Sequence, residues 1–269
     1  MALRLAVLSD IHGNLQALDA ALKDIKKQRP DRLLVCGDLL LSGPRPAEVA
    51  DRIMSLEAEG AHVVAGNTDV AVADFDYAAA FPWMDPVPAS NRAAAEWTHD
   101  QLSDEQLNWL RKLPVERRLW DGDTLVLTVH ASPGSQTAGL STELDPSVTM
   151  ERVTRTDARV ICVGHTHVAD VRTLGRKLIV NPGSCGYAFD GDPAACWALL
   201  TIPDGASTGA DGPESDDDED ADVVDFARPT AQLFRTPYDA AGAAEEVAQR
   251  ALPGDVYRAA TIRTGRLVT

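Results

Sequence analysis

The sequence predicts an α/β protein in which a parallel or mixed β-sheet is covered by helices. Three observations lead to this fold class. Short apolar runs of strand type alternate with helical patterns through the first 65 residues. From residue 117 onward the chain becomes rich in strand-like runs. Hydrophobic residues make up 45% of the 269 residues, so the chain can bury a sizeable core.

The first part of the chain reads as strand, helix, strand, helix, strand. These elements are predicted at residues 3–9, 14–29, 32–36, 46–59 and 61–65. Apolar residues at helical spacing support the first helix, and Pro30 predicts its end. Gly60 closes the second helix in the same way. This order is typical of a parallel or mixed sheet with helical cover.

The second part of the chain predicts further helices and a second sheet. Helices are expected at residues 91–101, 104–112, 146–155 and 240–251, and strands at 117–120, 124–129, 160–163, 168–173, 177–180, 197–202 and 231–235. Residues 74–90 are rich in proline and aromatic residues and predict a long surface loop. That loop could form a lid over a site, pack against the protein or contact another copy. We expect one domain over residues 1–269, with an acidic, disordered loop at 204–222.

Charge and cysteine content exclude several classes of protein. The formal net charge of −16 repels nucleic acid backbones and anionic membranes, so we expect no stable nucleic acid complex. No apolar stretch approaches the roughly 18 residues of a membrane span, and no signal peptide is evident. The four cysteines form no Cys-x-x-Cys pair, which favours free thiols in a cytoplasmic protein. The oligomeric state stays open, with a homo-oligomer as one alternative.

Seven metal-binding side chains recur along the chain, most of them directly after strand-like runs. They lie in the segments Asp10-Ile11-His12, Gly37-Asp38, Gly66-Asn67, His130 and Gly164-His165-Thr166-His167. Four of the six histidines belong to this set. Because a sheet brings strand ends to one edge, we expect these side chains to meet there. Oxygen and nitrogen donors without sulfur suit Mn²⁺, Fe²⁺, Zn²⁺ or Co²⁺.

Each of these segments alone is weak evidence for a metal site. A single Asp-x-His is more often structural, and a single Gly-Asp or Gly-Asn is a common turn. Their occurrence together, in this order, favours metal binding. The remaining histidines, His62 and His99, are predicted to be structural. Asp69 either orients a ligand histidine or is a solvated turn carboxylate.

The ordered set of motifs resembles the calcineurin-like metallophosphoesterase superfamily. Three companion motifs, Ser-Asp-Ile-His-Gly-Asn at 9–14, Asn-Pro-Gly-Ser at 181–184 and Asp-Gly-Asp-Pro at 190–193, are similar to those of its small single-domain prokaryotic phosphodiesterases. The resemblance covers roughly residues 3–202. It implies a four-layer α/β/β/α sandwich, with two mixed sheets flanked by helices and the site at the strand ends.

The same resemblance implies two divalent metal ions, with Mn²⁺ expected first and Fe, Zn, Co or Ni as alternatives. The first ion would be held by Asp10, His12, Asp38 and His167. Asp38 would bridge to the second ion, which would also take Asn67, His130 and His165. The catalytic set would contain Asp38, Asn67 and His130, and a hydroxide between the ions would attack phosphorus in line.

One departure from the superfamily pattern bears on the substrate. Many members have a histidine after the Gly-Asn pair that protonates the leaving group, whereas this chain has Thr68. A threonine hydroxyl has no useful acidity near neutral pH, so substrates with good leaving groups are favoured. The resemblance therefore favours a phosphodiesterase acting on small phosphate esters. The alternatives are a phosphomonoesterase, a nucleotide pyrophosphatase, a nuclease or a non-catalytic scaffold.

Overall fold

The computed structural model describes residues 1–204 and 228–269 and contains two five-stranded mixed β-sheets packed face to face. In spatial order, the first sheet contains β10 (Thr230–Thr236), β9 (Ala195–Ile202), β1 (Leu3–Leu8), β2 (Arg32–Val35) and β3 (His62–Val63). The second contains β4 (Glu116–Asp121), β5 (Thr124–Val129), β6 (Val160–Cys162), β8 (Lys177–Asn181) and β7 (Asp170–Leu174). Strands β1, β2 and β3 run parallel, as do β5, β6 and β8, so their carboxyl ends share an edge.

The described helices are α1 (Leu15–Gln28), α2 (Pro46–Ala58), α3 (Asn67–Asp74), α4 (Tyr77–Ala80), α5 (Ala89–Asp100), α6 (Asp104–Lys112), α7 (Pro146–Val153), α8 (Ala240–Gln249) and α9 (Asp255–Thr264). All but α7 contribute buried residues to the core on the outer face of the first sheet. Val153 of α7 packs on the outer face of the second sheet, against Leu127 and Ile161. Among the described residues, no helix is long and apolar enough to cross a membrane.

The period of two in the strands determines the layers. In β1, Leu5 and Val7 pack between the sheets, whereas Ala6 and Leu8 pack against helices. Side chains of the second sheet alternate in the same way: Val160 faces inward between the sheets, and Ile161 faces outward. Successive side chains on a strand point to opposite faces, so strands that are apolar throughout bury both faces.

The predicted fold class, two mixed sheets flanked by helices, is confirmed. The sequence prediction missed three helices. Helix α3 begins at Asn67 itself, and α4 lies inside the predicted surface loop, where the Asp76 side chain caps it by accepting a hydrogen bond from the backbone of Ala79. Both are too short to present a clear apolar period. Helix α9 lies beyond the last predicted helix, and its buried residues include Arg258, which interrupts the apolar pattern. The predicted acidic loop, apart from Asp204, lies outside the described residues.

Candidate metal centre

Tight backbone turns at the strand ends position the predicted ligands. Asp10 and His12 follow β1, Asp38 follows β2, and the pair His165 and His167 comes after β6. Nine non-glycine residues in the described part of the chain have positive φ, and these five, with φ between 51° and 69°, are among them. Left-handed backbone is costly for such residues and concentrates at functional sites. Here it turns each side chain back toward the shared sheet edge.

Two glycines allow the loops after β2 and β3 to pack backbone against backbone. A Cβ atom on Gly37 would lie 2.5 Å from the backbone nitrogen of Gly66. A Cβ atom on Gly66 would collide with the backbone and carboxylate of Asp38. The glycines of the Gly-Asp and Gly-Asn motifs are therefore required, because two backbone segments of the chain approach each other closely here.

Asp69 ties the same two loops together. Its side chain is buried, and its carboxylate oxygens accept hydrogen bonds from the backbone N–H groups of Leu39 and Gly66, each at 2.9 Å. The sequence left two alternatives for Asp69, a partner of a ligand histidine or a solvated turn carboxylate. Its hydrogen bonds differ from both, because it fixes the backbone that carries Asp38 and Asn67.

Four of the seven predicted ligands form a first donor group, Asp10, His12, Asp38 and His167. One donor atom from each lies within 4.8 Å of the others, and all four residues are buried. The Nε2 atoms of His12 and His167 are 3.2 Å apart. An Asp10 oxygen lies 3.3 Å from Nε2 of His167, and Oδ2 of Asp38 lies 3.5 Å from Nε2 of His12.

The other three predicted ligands, with Asp38, form a second donor group. Oδ1 of Asn67 lies 3.0 Å from both Nε2 of His130 and Nδ1 of His165. Those two nitrogens are 3.2 Å apart. Oδ1 of Asp38 lies 3.4 Å from Nε2 of His130. Asp38 therefore directs one oxygen to each donor group, and all seven side chains meet in one centre.

The spacing of the donor atoms fits bound metal ions. Donors about 2.0–2.2 Å from a common ion lie roughly 3.0–3.5 Å from one another. The nearest donor pairs of both groups fall in this range, and the widest separation in the first group is at most 4.8 Å. Backbone carbonyls fix the rings from behind, since Nδ1 of His12 donates to Leu41 at 2.7 Å and Nδ1 of His130 donates to Cys36 at 2.7 Å. Nδ1 of His167 donates to the carbonyl of Tyr187. This leaves the Nε2 lone pairs directed into the centre, as ligand histidines require.

The electrostatics of the centre also fit cations. Burial lowers the pKa of His12 and His167 to about 4 and that of His165 to about 3, so these rings are neutral at pH 7 and free to coordinate. Burial raises the pKa of Asp10 to about 6. Burial opposes ionisation of Asp38 as well, but the charge of a protonated His130 and the hydrogen bond from the backbone N–H of Thr68 outweigh it, and the pKa of Asp38 falls to about 2. A divalent ion would supply the positive charge that these buried carboxylates need.

The motif at residues 181–184 supports the ligand loops. Nδ2 of Asn181 donates to the carbonyl of Gly164 at 3.0 Å and to the hydroxyl of Thr166 at 2.9 Å, and so holds the Gly-His-Thr-His turn. The hydroxyl of Ser184 donates to the carbonyl of Asp10 at 2.7 Å. The histidines predicted to be structural lie outside the centre: His62 contacts Arg32 at 3.1 Å, and Nδ1 of His99 donates to the carbonyl of Val72 at 2.7 Å.

A cavity of about 490 Å³ opens over the centre. Its lining includes donor residues of both groups together with Thr68. The segment predicted as a surface loop contributes Phe81 and Trp83 to the wall, and Trp83 meets His165 edge-on with ring centroids 5.8 Å apart. The hydroxyl of Thr68 is buried and has no hydrogen-bond partner within residues 1–204 and 228–269. It is therefore available to a ligand that enters the cavity.

The family model of the calcineurin-like phosphoesterase superfamily domain matches residues 3–205 of this chain. The chain belongs to this superfamily. The residues predicted to be metal ligands all lie in the matched region. Superfamily members typically bind divalent metals, which agrees with the donor cluster seen here.

Similar proteins extend the comparison beyond the matched region. A metallophosphoesterase from Sphaerobacter thermophilus is 26% identical, with a TM-score of 0.68 over 98% of this chain and 100% of that one. A hypothetical protein from Pyrococcus horikoshii OT3 is 21% identical, with a TM-score of 0.74 over 98% of each chain, and so shares the fold. An uncharacterized protein from Methanocaldococcus jannaschii is 28% identical over 217 residues, which span 74% of this chain and 83% of that protein.

Replacing Asp69 by Asn should weaken metal binding, although Asp69 itself touches no donor atom. The amide keeps one acceptor oxygen but places an NH₂ group against a backbone N–H, so one of the two loop contacts is lost. Loss of a group that supports metal ligands typically costs about 10–100-fold in metal affinity. Calorimetric titration with Mn²⁺ measures this change. Asp74→Asn, an exposed carboxylate at the end of the same helix, is the control, and equal affinities for the two variants would contradict the role given to Asp69.

Proposed function

We propose that this protein is a dinuclear, metal-dependent phosphodiesterase that hydrolyses small phosphodiesters. The observation that carries the proposal is Asp38, which directs one carboxylate oxygen toward each of two donor groups. A first ion would be held by Asp10, His12, Asp38 and His167, and a second by Asp38, Asn67, His130 and His165. Two ions in such a pair supply Lewis acidity toward phosphate oxygens and lower the pKa of water.

The charge of the centre suits an anionic substrate. The seven side chains contain two carboxylates, Asp10 and Asp38, and the other five are neutral when their imidazoles are unprotonated. Two divalent ions would leave a net charge of about +2 at the cavity floor. This local charge supports phosphate binding even though the whole chain has a formal net charge of −16. The donors are nitrogen and oxygen without thiolate, a set that suits Mn²⁺, Fe, Zn, Co and Ni, and Mn²⁺ is our first choice among them.

Thr68 supports diesters over monoesters. It stands next to Asn67, its backbone N–H donates to Oδ1 of Asp38 at 2.9 Å, and its hydroxyl is unpaired within the described residues. That hydroxyl can donate a hydrogen bond to a phosphate oxygen, but it cannot protonate a leaving group near neutral pH. A singly charged diester with a good leaving group needs least help from an acid.

A cytoplasmic location is part of the proposal. Its support is chemical, because Cys36, Cys162, Cys185 and Cys196 are all free and buried, as expected where thiols stay reduced. The acidic surface supports a small phosphate ester as the substrate in place of a nucleic acid, whose backbone the net charge of −16 would repel.

Hydrolysis of bis-p-nitrophenyl phosphate with added Mn²⁺ tests the activity. We expect turnover that EDTA abolishes and Mn²⁺ restores. Asp38→Asn and His130→Gln should each lower kcat/KM by at least about 100-fold, because each removes a donor from the centre. His99→Gln, a histidine outside the centre, should behave as the wild type. Turnover that is indifferent to EDTA, or equal in the Asp38 and His99 variants, would contradict the proposal.

Replacing Thr68 by His should shift the preference toward monoesters. A histidine at this position could protonate the leaving oxygen, and such help is worth about 10²–10⁴-fold for poor leaving groups. We expect the ratio of kcat/KM for phenyl phosphate, a monoester with a poor leaving group, to that for bis-p-nitrophenyl phosphate to rise at least about tenfold. Thr68→Ser keeps a hydroxyl and should keep the wild-type ratio. A folded Thr68→His protein with an unchanged ratio would argue against a leaving-group role for this position.

A further inference from the structure

A buried arginine from the C-terminal helix lies in the wall of the cavity. Arg258 of α9 is 4% exposed, and it is the one Lys or Arg among the described residues that line the cavity. It comes from a part of the chain beyond the family match at residues 3–205. The family match therefore does not cover this part of the cavity wall.

Among the described residues, the hydrogen bonds of Arg258 are made with neutral groups. Nε donates to the carbonyl of Pro253 at 3.0 Å, Nη1 donates to the hydroxyl of Ser42, and the hydroxyl of Tyr187 lies against the guanidinium. All three partners are neutral. Within residues 1–204 and 228–269, no carboxylate lies within 4.0 Å of the guanidinium, although the chain has 41 acidic residues against 25 basic ones. A buried charge without a counter-charge is costly, and an anion at this site would balance it.

Arg258 lies beside the metal centre and outside its donor shell. Its partner Ser42 follows Leu41, whose carbonyl accepts the Nδ1 hydrogen bond of His12 on the side of the ring away from the donors. Tyr187 likewise accepts from Nδ1 of His167 through its carbonyl. The residues that hold the His12 and His167 rings therefore lie between the guanidinium and the first donor group. A phosphate held at the centre and a second anion at Arg258 would occupy different parts of one cavity.

The wall around these two positions is aromatic. Phe81, Trp83, Phe189 and Tyr257 line the cavity, and Phe189 stacks on His167 with ring centroids 4.0 Å apart. The ring of Tyr257 lies 5.3 Å from the guanidinium carbon of Arg258. Aromatic faces favour a flat organic group, and a planar guanidinium matches the oxygens of a phosphate.

We propose that Arg258 binds a second phosphate of the substrate, one that is not attacked. The preferred substrates would then be phosphodiesters of a flat organic alcohol that carries a further phosphate, such as a phosphorylated nucleoside. This inference rests on the proposed function for the identity of the reacting group. It adds the chemical class of the remainder of the substrate.

A matched pair of ligands tests the inference without turnover. Thymidine 3′,5′-bisphosphate and thymidine 5′-monophosphate differ only in the second phosphate, and their affinities for the Mn²⁺-loaded protein are measured by calorimetry. We expect the bisphosphate to bind at least about tenfold more tightly, the gain typical of a charged hydrogen bond. Arg258→Gln should abolish most of this preference. Arg258→Lys, which keeps the charge but loses the planar fork, should retain part of it.

Arg263→Gln is the control, because it removes the same charge from an exposed position on the same helix. It should keep the wild-type preference. The inference is overturned if the wild type binds both ligands equally, or if Arg258→Gln weakens both by the same factor, as a purely structural contact with Ser42 and Tyr187 would. If Arg258→Gln does not fold, Arg258→Lys decides, since an unchanged preference in that variant contradicts recognition by the fork.

Hydrolysis of thymidine 5′-(p-nitrophenyl phosphate) separates this inference from the proposed function. Metal-dependent hydrolysis combined with equal binding of the two ligands overturns the role of Arg258 alone. A binding preference that depends on Arg258, without hydrolysis, overturns the proposed reaction and supports the phosphate site.

Discussion

The candidate metal centre depends on the contact between the loop after β2 and the loop after β3. Gly37 and Gly66 permit that contact because neither has a Cβ atom, and the Asp69 carboxylate fastens it through two backbone N–H groups. Asp38 and Asn67 are carried by these loops, and Asp38 is the residue that faces both donor groups. A shift of either loop would separate the two groups. The parallel order of β1, β2 and β3 brings the loops to one edge, and the glycines set their final distance.

Burial makes this arrangement suited to cations. Seven donor side chains converge in a largely buried region, where the carboxylates of Asp10 and Asp38 lie against imidazole nitrogens. Burial holds the pKa of His12, His165 and His167 well below the ordinary value, so protons compete poorly for their lone pairs at neutral pH. Backbone carbonyls at Leu41, Cys36 and Tyr187 fix three of the rings. The protein supplies orientation and low dielectric, and the ions would supply the charge.

Much of the fold and of the donor set could be predicted from the sequence, because apolar strands and metal-binding side chains form recognisable patterns in it. Apolar runs followed by Asp or His predicted the strands β1 and β2 and the donors at their ends, and the superfamily resemblance predicted the second sheet packed on the first. The supporting groups leave weaker signals. The carbonyls of Leu41 and Tyr187 are backbone atoms, which any residue could provide. No sequence pattern singles out Arg258, and only the packing of α9 brings it into the cavity.

The most direct test of a bridged, dinuclear centre is the anomalous scattering of crystals grown with Mn²⁺. A dinuclear centre bridged by Asp38 predicts two manganese peaks roughly 3.5–4 Å apart, with one Asp38 oxygen on each ion. It also predicts that His12 and His167 coordinate one ion and that His130 and His165 coordinate the other. A single peak at full occupancy, or two peaks of which only one touches Asp38, would contradict a dinuclear centre bridged by that residue.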